Sequence, residues 1–518
     1  MNLSAPFPLR GLHRTSPRHP RTPARAALAA LAVVPALLLA PAPARGAGLY
    51  FADRGVRPAG RAGAFIAGAD DLGAIAYNIA GIYDAGSQIL FDASWLRFSS
   101  DYTRQSYVRQ VDPNTGATTA TFLQTYEEVS GESPFVPIPT LAVSLQPHPK
   151  WVVALGAWAP YAAIASYPEQ PAAPQRYSLF SLEGSALAFI GAGAAFAPSK
   201  EWRIGAAIGV LAGNFNTRVA VSGCVPERFL CAPEDPEWDV LSELSVGPIV
   251  APTGQAGVIW IPDPKWRVGL SFQAPVYVRA SATVRARLPA TPIFEQAYQE
   301  GEDADVEFDL PWNLRVGVET RVIDNLRLEL GAGFERWSMH DTITIDPDGM
   351  TLKDVAAFPE TYSLPTIDFP RNFQDSVSVR LGGEYSFQLL DHSWEGRAGM
   401  SFETSAVPAE YLSVLTIDSS KVTTALGLGV HVGQFRFDAV YAHIFASGVD
   451  VDPKAARIAQ ISPVDANAPK NPNYINGGSY SASADVIGLG VAYTFEPAPV
   501  DADAPAPKAA EPKATPPR

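Results

Sequence analysis

The sequence predicts an all-β fold, a 14-stranded antiparallel transmembrane β-barrel with an N-terminal hatch inside the lumen. Three observations lead to this prediction: apolar residues alternate with polar ones over long stretches, the connections alternate between short and long, and no apolar run past residue 45 reaches the about 18 residues of a membrane-spanning helix. The 518 residues are 47% hydrophobic and include only two cysteines, which excludes a disordered chain and a disulfide scaffold.

Residues 1–46 have the pattern of a secretory signal peptide. Five arginines and no acidic residue precede an apolar run at 26–40, and small residues follow it. A basic region, a short apolar region and a small-residue cleavage site are typical of exported proteins. Cleavage after Gly46 would remove six arginines and change the formal net charge from −14 to −20. In an oxidising compartment Cys224 and Cys231 are expected to pair, with two free thiols as the alternative.

The clearest alternation runs from Val268 to Leu288, where every even residue is apolar. A period of two over about twenty residues predicts one long strand with an apolar and a polar face. In a soluble sandwich the apolar face would pack in the core, whereas in a transmembrane barrel it would face lipid and the charged face would line the lumen. Periodicity does not distinguish these two folds, so the lengths of the connections between strands must decide.

Fourteen segments share this period. They are predicted at residues 88–98, 138–146, 151–161, 183–196, 202–218, 243–261, 266–288, 305–321, 325–340, 374–388, 394–407, 420–432, 435–446 and 481–495. The connections that follow even-numbered segments are short, as at 147–150 and 433–434, and those that follow odd-numbered segments are usually long, as at 99–137 and 341–373. Short periplasmic turns, long outer loops and an even strand count are typical of outer-membrane barrels.

Two flanking segments lack this period. Residues 47–86 are rich in Gly and Ala, and we expect them to form a hatch, because fourteen strands leave a lumen too wide for side chains alone to fill. Residues 496–518 contain seven Pro and seven Ala and are expected to form a disordered periplasmic tail. The predicted domains are therefore a signal peptide (1–46), a hatch (47–86), a barrel (87–495) and a tail (496–518).

Several short motifs add to this architecture. The hatch contains the run Gly-Ala-Phe-Ile-Ala-Gly-Ala-Asp-Asp at 63–71 and the turn Asn-Ile-Ala-Gly at 78–81, the third strand contains Ala-Trp-Ala-Pro-Tyr at 157–161, and Glu-Arg-Trp-Ser follows at 335–338. In these motifs the chain resembles the FadL/TodX family of outer-membrane transporters for long-chain fatty acids and hydrocarbons. Ile79 replaces the proline of the family's Asn-Pro-Ala hatch turn.

The resemblance implies passive uptake of a hydrophobic compound, a long-chain fatty acid or a hydrocarbon. The ligand would be captured among the outer loops, pass when the hatch shifts, and leave sideways at a kink in the third strand. Gating roles are thereby implied for Asn78, Ile79, Ala80 and Pro160. Independently of the family, Pro160 lacks an N–H and is expected at a strand edge or a bulge.

Ligand-binding residues follow from the resemblance and from the lumen charges. Leu49, Tyr50 and Phe51 match the N-terminal segment that reaches the ligand pocket in the family. The inward-facing charges are nearly balanced and are expected to form ion pairs that hold the hatch. A ligand carboxylate would need an unpaired arginine, because the guanidinium matches a carboxylate in two hydrogen bonds. Arg327 and Arg380 are the candidates.

Two other functions stay open at this point. A general diffusion porin for small polar solutes would need no hatch, and an outer-membrane lipid hydrolase would need a base, for which His443 is the candidate, although no Gly-x-Ser-x-Gly elbow occurs. We expect no enzyme, no cofactor and no metal, since neither zinc-like spacing nor a phosphate-binding glycine loop occurs. The expected partners of the acidic chain are a hydrophobic small molecule and outer-membrane lipids but no nucleic acid, and the expected state is a monomer in the outer membrane.

Overall fold

The structure is a computed structural model. It describes residues 54–111, 118–133, 137–162, 166–225, 231–232, 234–356, 358–465, 470 and 472–495. The predicted signal peptide, the predicted tail and the residues Leu49, Tyr50 and Phe51 lie outside these ranges. None of the helices in the described ranges is long and apolar enough to cross a membrane.

Fourteen antiparallel strands form a closed barrel. Each strand pairs with its neighbour in the chain, and the last pairs with the first from Gln88↔Thr494 to Arg104↔Gly478. The strands are β1 (Gln88–Val111), β2 (Pro137–His148), β3 (Trp151–Ala162), β4 (Ala186–Phe196), β5 (Trp202–Ser222), β6 (Asp239–Asp263), β7 (Trp266–Gln273 and Val276–Arg287), β8 (Asp303–Leu310 and Asn313–Ile323), β9 (Leu326–Glu335), β10 (Ser376–Leu389), β11 (His392–Glu403), β12 (Lys421–Val432), β13 (Phe435–Ala446) and β14 (Gly478–Thr494).

Short elements fill the outer connections, in which Cys224 and Cys231 form a disulfide. Besides the barrel strands they comprise the strands Thr118–Thr125, Val129–Glu132, Tyr298–Glu300, Thr342–Pro347, Thr351–Lys353, Thr361–Ser363, Ile367–Pro370 and Val449–Val451, and the 3₁₀ helices Pro236–Trp238, Pro292–Phe294, Trp337–Met339 and Ala409–Tyr411. Three of these strands, 298–300, 351–353 and 361–363, make a small separate sheet. The described parts of the outer connections therefore form a structured layer above the barrel.

Residues 54–86 fold as a compact hatch that the barrel wall surrounds. The hatch consists of the helices α1 (Val56–Ala59) and α2 (Ile82–Ala85) and the 3₁₀ helices Leu72–Ala76 and Ile79–Gly81. Nearly all of its residues are buried. Its Gly- and Ala-rich sequence allows these short elements to pack closely against the wall.

A ring of strand glycines makes room for the hatch. A Cβ on Gly257 would lie 2.0 Å from Asn78 Oδ1, and a Cβ on Gly399 would lie 2.2 Å from the carbonyl carbon of Arg61. Nine further strands contribute a glycine whose Cβ would lie within 3.1 Å of a hatch atom: Gly156, Gly193, Gly205, Gly269, Gly317, Gly331, Gly382, Gly427 and Gly488. Where the nearest hatch atom belongs to the backbone, as at Gly205, Gly269, Gly382, Gly399 and Gly427, a side chain on the wall would force the hatch away.

The pleat of β7 reverses at Pro275. Before this residue Gln273 is buried inside the barrel and Phe272 faces outward, whereas beyond it Val278 is 0% exposed inside and Tyr277 is 54% exposed outside. The predicted single strand with one outward apolar face is therefore wrong. The even apolar row runs along the outside of the first half of β7 and along the inside of the second half.

The neighbouring strands reverse as well, β8 at Pro311 and β6 at Pro248, where Val246 and Ile249 are three residues apart yet both buried inside. Proline donates no ladder hydrogen bond and is tolerated at such breaks. The breaks divide these strands into a membrane zone (249–263, 266–273 and 313–323) and an outer zone (239–246, 276–287 and 303–310). The membrane zone is apolar outside, and its inward residues are mainly polar in β7 and β8 but include Ile249, Ala251 and Ile259 in β6. The outer zone is apolar inside.

We expect Gly399→Ala to destabilise the folded barrel by about 1–3 kcal/mol, since the added methyl overlaps the backbone of Arg61. Gly396→Ala in the same strand is the matched control, because the nearest atom to its Cβ is 3.8 Å away on the Phe387 side chain. Urea unfolding in detergent measures both variants. Equal unfolding midpoints would contradict the proposed fit of hatch and wall.

Candidate functional site: the hatch and the outer cavity

Arginines and carboxylates join the hatch to the wall. Arg57 of the hatch lies 2.9 Å from Glu384 of β10 and 2.5 Å from Asp70. Arg397 of β11 also binds Glu384, at 2.7 Å, and Asp438 of β13, at 2.6 Å. Apart from Asp70, whose side chain is 20% exposed, these groups are almost completely buried, so their charges depend on their partners rather than on water.

Glu329 of β9 is the main acceptor for the hatch backbone. Its two carboxylate oxygens accept hydrogen bonds of 2.6 to 3.3 Å from Ile66 N, Ala67 N, Gly68 N and Arg61 Nη2. Glu329 is 0% exposed. Loss of this carboxylate would leave three backbone N–H groups without their acceptor, and Arg61 would keep only Glu319, at 2.8 Å.

Both predicted ligand arginines lie in this hatch layer. Arg327 lies 2.5 Å from Asp70 and 3.0 Å from Glu384. Arg380 donates to the Ala62 carbonyl at 3.3 Å and lies 3.7 Å from Glu403. The structure thus brings them together around the hatch, and their role in ligand binding stays a prediction.

The predicted gating residues lie at two places. In the hatch turn, Asn78 donates to Ile66 O at 2.9 Å and accepts from Ala80 N at 3.2 Å, and Ile79 is completely buried. In β3, Pro160 lies within a register shift of the β3–β4 pairing between residues 158 and 161. On the other edge of β3, the pairing with β2 ends at Thr140↔Trp158 within the described residues. The pairing of β3 is therefore irregular near Pro160 toward both neighbouring strands.

A cavity of about 200 Å³ lies in the outer zone. Its walls come from β5, β6 and β7, and its roof comes from the outer connections. The lining is almost entirely apolar, with Phe215, Val221, Leu244, Val284, Leu288, Phe294, Ile345, Met350, Phe369 and Val464 among its residues. The inward apolar rows created by the pleat reversals therefore enclose a cavity with an apolar lining.

Arg371 alone is charged among the described residues that line this cavity. It is 5% exposed, its Nη2 donates to the Thr416 hydroxyl at 2.7 Å, and its guanidinium lies 4.9 Å from the centre of the Phe373 ring. Its Nε has no hydrogen-bond partner in the described part of the chain. Burial lowers the pKa of Arg371 to about 10, so the side chain is still a cation at neutral pH.

A second cavity of about 90 Å³ adjoins the first, since both are lined by Phe215, Leu244 and Ile343. His340 lines it and places its Nδ1 2.8 Å from the Asp309 carbonyl oxygen. Burial, together with the nearby charge of Arg371, lowers the pKa of His340 to about 3. The imidazole is therefore neutral, and its Nδ1–H donates a hydrogen bond to the Asp309 carbonyl oxygen.

The sequence prediction missed Arg371 because it assigned this residue to the long connection 341–373. No local signal marks the arginine: Phe369 and Phe373 flank it, but the stretch 368–375 also contains two Asp, one Asn and one Gln, as an ordinary loop does. His443, the candidate base, lies elsewhere, on the outward face of β13, where its Nδ1 is 2.7 Å from Asp485.

The family of the chain follows from a family model described as outer membrane protein transport protein (OMPP1/FadL/TodX), which matches residues 37–495. The chain belongs to the FadL/TodX family. No curated protein matches it significantly in sequence.

Solved structures of the FadL/TodX family share the fold. The chain is similar to a FadL homologue from Pseudomonas aeruginosa, with a TM-score of 0.65 and 14% identity over 87% of this chain and 100% of the other. It is also similar to the toluene transporter TodX of P. putida, with a TM-score of 0.52 and 14% identity over 82% of this chain and 94% of the other. As a FadL/TodX protein the chain is an outer-membrane transporter of hydrophobic compounds, in a family of transporters and channels.

We expect Glu329→Ala to loosen the hatch, because removal of one partner from a buried ionic site costs about 3–5 kcal/mol. Single-channel recording in planar bilayers should show larger and more frequent openings than the wild type. Glu302→Ala is the control, because Glu302 pairs with Arg285 at an exposed site where an ion pair contributes about 0.2–1 kcal/mol. Large steady channels in the wild type would instead support a general porin.

Proposed function

We propose that this FadL/TodX protein takes up long-chain fatty acids or chemically similar anionic amphiphiles, by passive transport. The observation that carries the proposal is Arg371, a buried cation with no carboxylate partner among the described residues, in an otherwise apolar cavity. The acyl chain would occupy the two adjoining cavities, and the carboxylate would bind the guanidinium.

Physical chemistry favours an acid over a plain hydrocarbon in this cavity. Each buried CH₂ contributes about 0.8 kcal/mol in either ligand. A buried cation without an anion is costly, and a carboxylate provides charge-assisted hydrogen bonds that a hydrocarbon lacks. An acid therefore gains affinity from the burial of its chain and from the hydrogen bonds of its carboxylate, whereas a hydrocarbon gains it from burial alone.

The hatch and β3 supply the later steps of the proposed path. The hatch closes the lumen below the cavities, so a ligand passes only after the hatch shifts at its Asn78-Ile79-Ala80 turn. The irregular pairing of β3 near Pro160 supports a sideways exit into the bilayer. An apolar chain prefers the bilayer interior to the aqueous periplasm, which favours a sideways exit over a downward one.

Mass spectrometry of small molecules that co-purify with the detergent-extracted protein tests the proposed ligand class. We expect fatty acids or other long-chain anions to be enriched over a control barrel purified in the same way. Enrichment of neutral hydrocarbons would overturn the preference for acids. A protein without any bound hydrophobic compound would contradict the proposed function.

Arg371→Met should weaken binding of a long-chain fatty acid and leave binding of an alkane of equal length nearly unchanged. Loss of hydrogen bonds to a charged group costs about 1.5–3 kcal/mol, or roughly 10- to 150-fold in Kd. Isothermal titration in detergent measures both ligands, with Arg285→Met as an exposed control. If Arg327→Ala and Arg380→Ala weakened fatty-acid binding while Arg371→Met did not, the carboxylate site would be the one predicted from the sequence.

A further inference from the structure

The barrel wall has a seam between β6 and β7. The β6–β7 ladder runs up to Gln255↔Gln273 and resumes at Val246↔Ala282. Between these points no ladder pairing joins residues 247–253 to residues 275–281, and all of these residues are described. We call these two facing segments the seam.

The seam results from the different positions at which the two strands reverse. The register on either side places Val250 opposite Val278, yet Val250 is 64% exposed outside and Val278 is 0% exposed inside. Paired residues of a regular ladder point to the same face, so opposite pleats cannot form the usual hydrogen bonds. Pro248, Pro252 and Pro275 also remove three N–H donors from the seam.

The seam lies at the outer boundary of the membrane. Trp266 begins the membrane zone of β7, and Pro275 follows about nine residues later. At ~3.3 Å per residue and a tilt of about 40° this is roughly 23 Å, close to the about 25 Å height of the apolar band of such barrels. Just beyond it, Arg279 lies on the outside with Glu307 at 3.1 Å and Asp309 at 3.0 Å, where water replaces lipid.

The smaller cavity lies on the inner side of the wall at the level of the seam, and its lining includes strand neighbours of seam residues but no seam residue. Val246, at the outer end of the seam, lines that cavity. Phe308 and Leu310 line it too, and they pair with Val278 and Val276 of the seam strand. The buried side chains of Val276 and Val278, which have no ladder partner in β6, therefore lie between the cavity and the outside, at the level where the outer leaflet ends.

We propose that the seam is a lateral portal through which the hydrocarbon chain of a ligand dissolved in the outer leaflet reaches the cavity. This rests on the proposed function, in which the cavities hold the acyl chain. Long acyl chains concentrate in the bilayer rather than in water, so the leaflet is the larger reservoir. Separation of two unpaired segments breaks no ladder hydrogen bond, in contrast to the paired strands on either side. The seam lies three strands away from the irregular part of β3.

A covalent staple across the seam tests the portal. Val250→Cys/Tyr277→Cys replaces two outward-facing side chains, one on each side, and is oxidised in proteoliposomes. A long-chain fatty acid with a diazirine in its chain is dissolved in the bilayer, photoactivated after a short interval and located by peptide mass spectrometry. We expect wild-type protein to be labelled at residues 306–310 and the stapled variant to lose most of this labelling.

Matched variants separate the portal from other effects. Ala256→Cys/Phe272→Cys staples outward-facing residues that are already paired in the same two strands, and should label like the wild type. The two single-cysteine variants control for the oxidant, and Val250→Trp blocks the lipid side without a covalent bond and should also reduce labelling.

The same probe delivered to amphipol-solubilised protein, without a bilayer, must label the cavity in every variant. Equal labelling of stapled and unstapled protein from the bilayer would overturn the portal alone. Absence of cavity labelling in amphipol, even in the wild type, would instead overturn the proposed function.

Discussion

Successive side chains of a β-strand point to opposite faces, and the rest of this structure depends on that alternation. Where lipid surrounds the barrel, apolar residues must face outward and the charges must face the hatch. Beyond the membrane the outside is water, so the same strands need the opposite arrangement. A strand meets both needs only if its pleat reverses. Pro248, Pro275 and Pro311 mark the reversals in β6, β7 and β8, and the outer cavity exists because the apolar rows turn inward there.

Arginine has two different roles in this interior, and its partners determine which. In the hatch layer Arg57, Arg327 and Arg397 each contact at least two carboxylates, so their charges are neutralised within the protein. Arg371 lies among apolar residues and contacts a hydroxyl and an aromatic ring. The first environment satisfies a cation, whereas the second offers Arg371 no carboxylate among the described residues, which is why we propose it as the site of a ligand anion. Burial alone therefore does not show whether an arginine is neutralised within the protein.

The sequence predicted the barrel well because lipid imposes one rule along each strand. The prediction for β13, 435–446, coincides with Phe435–Ala446, and the shortest turns were located as observed. The prediction failed at Pro275. Polar and apolar residues keep alternating there, although the outside changes from lipid to water and the apolar residues turn to the inside of the barrel. It also could not identify Arg371, since whether an arginine is paired depends on contacts between distant segments. The glycine ring was equally inaccessible, because single glycines in a strand do not show what packs against them.

The ring of glycines also couples the sequence of the hatch to the sequence of the wall. Eleven strands present bare backbone to particular hatch atoms, so neither surface can change its shape alone. A larger hatch residue needs a smaller neighbour, and none is smaller than glycine. A substitution that changes the shape of one surface at these positions therefore requires a matching substitution in the other.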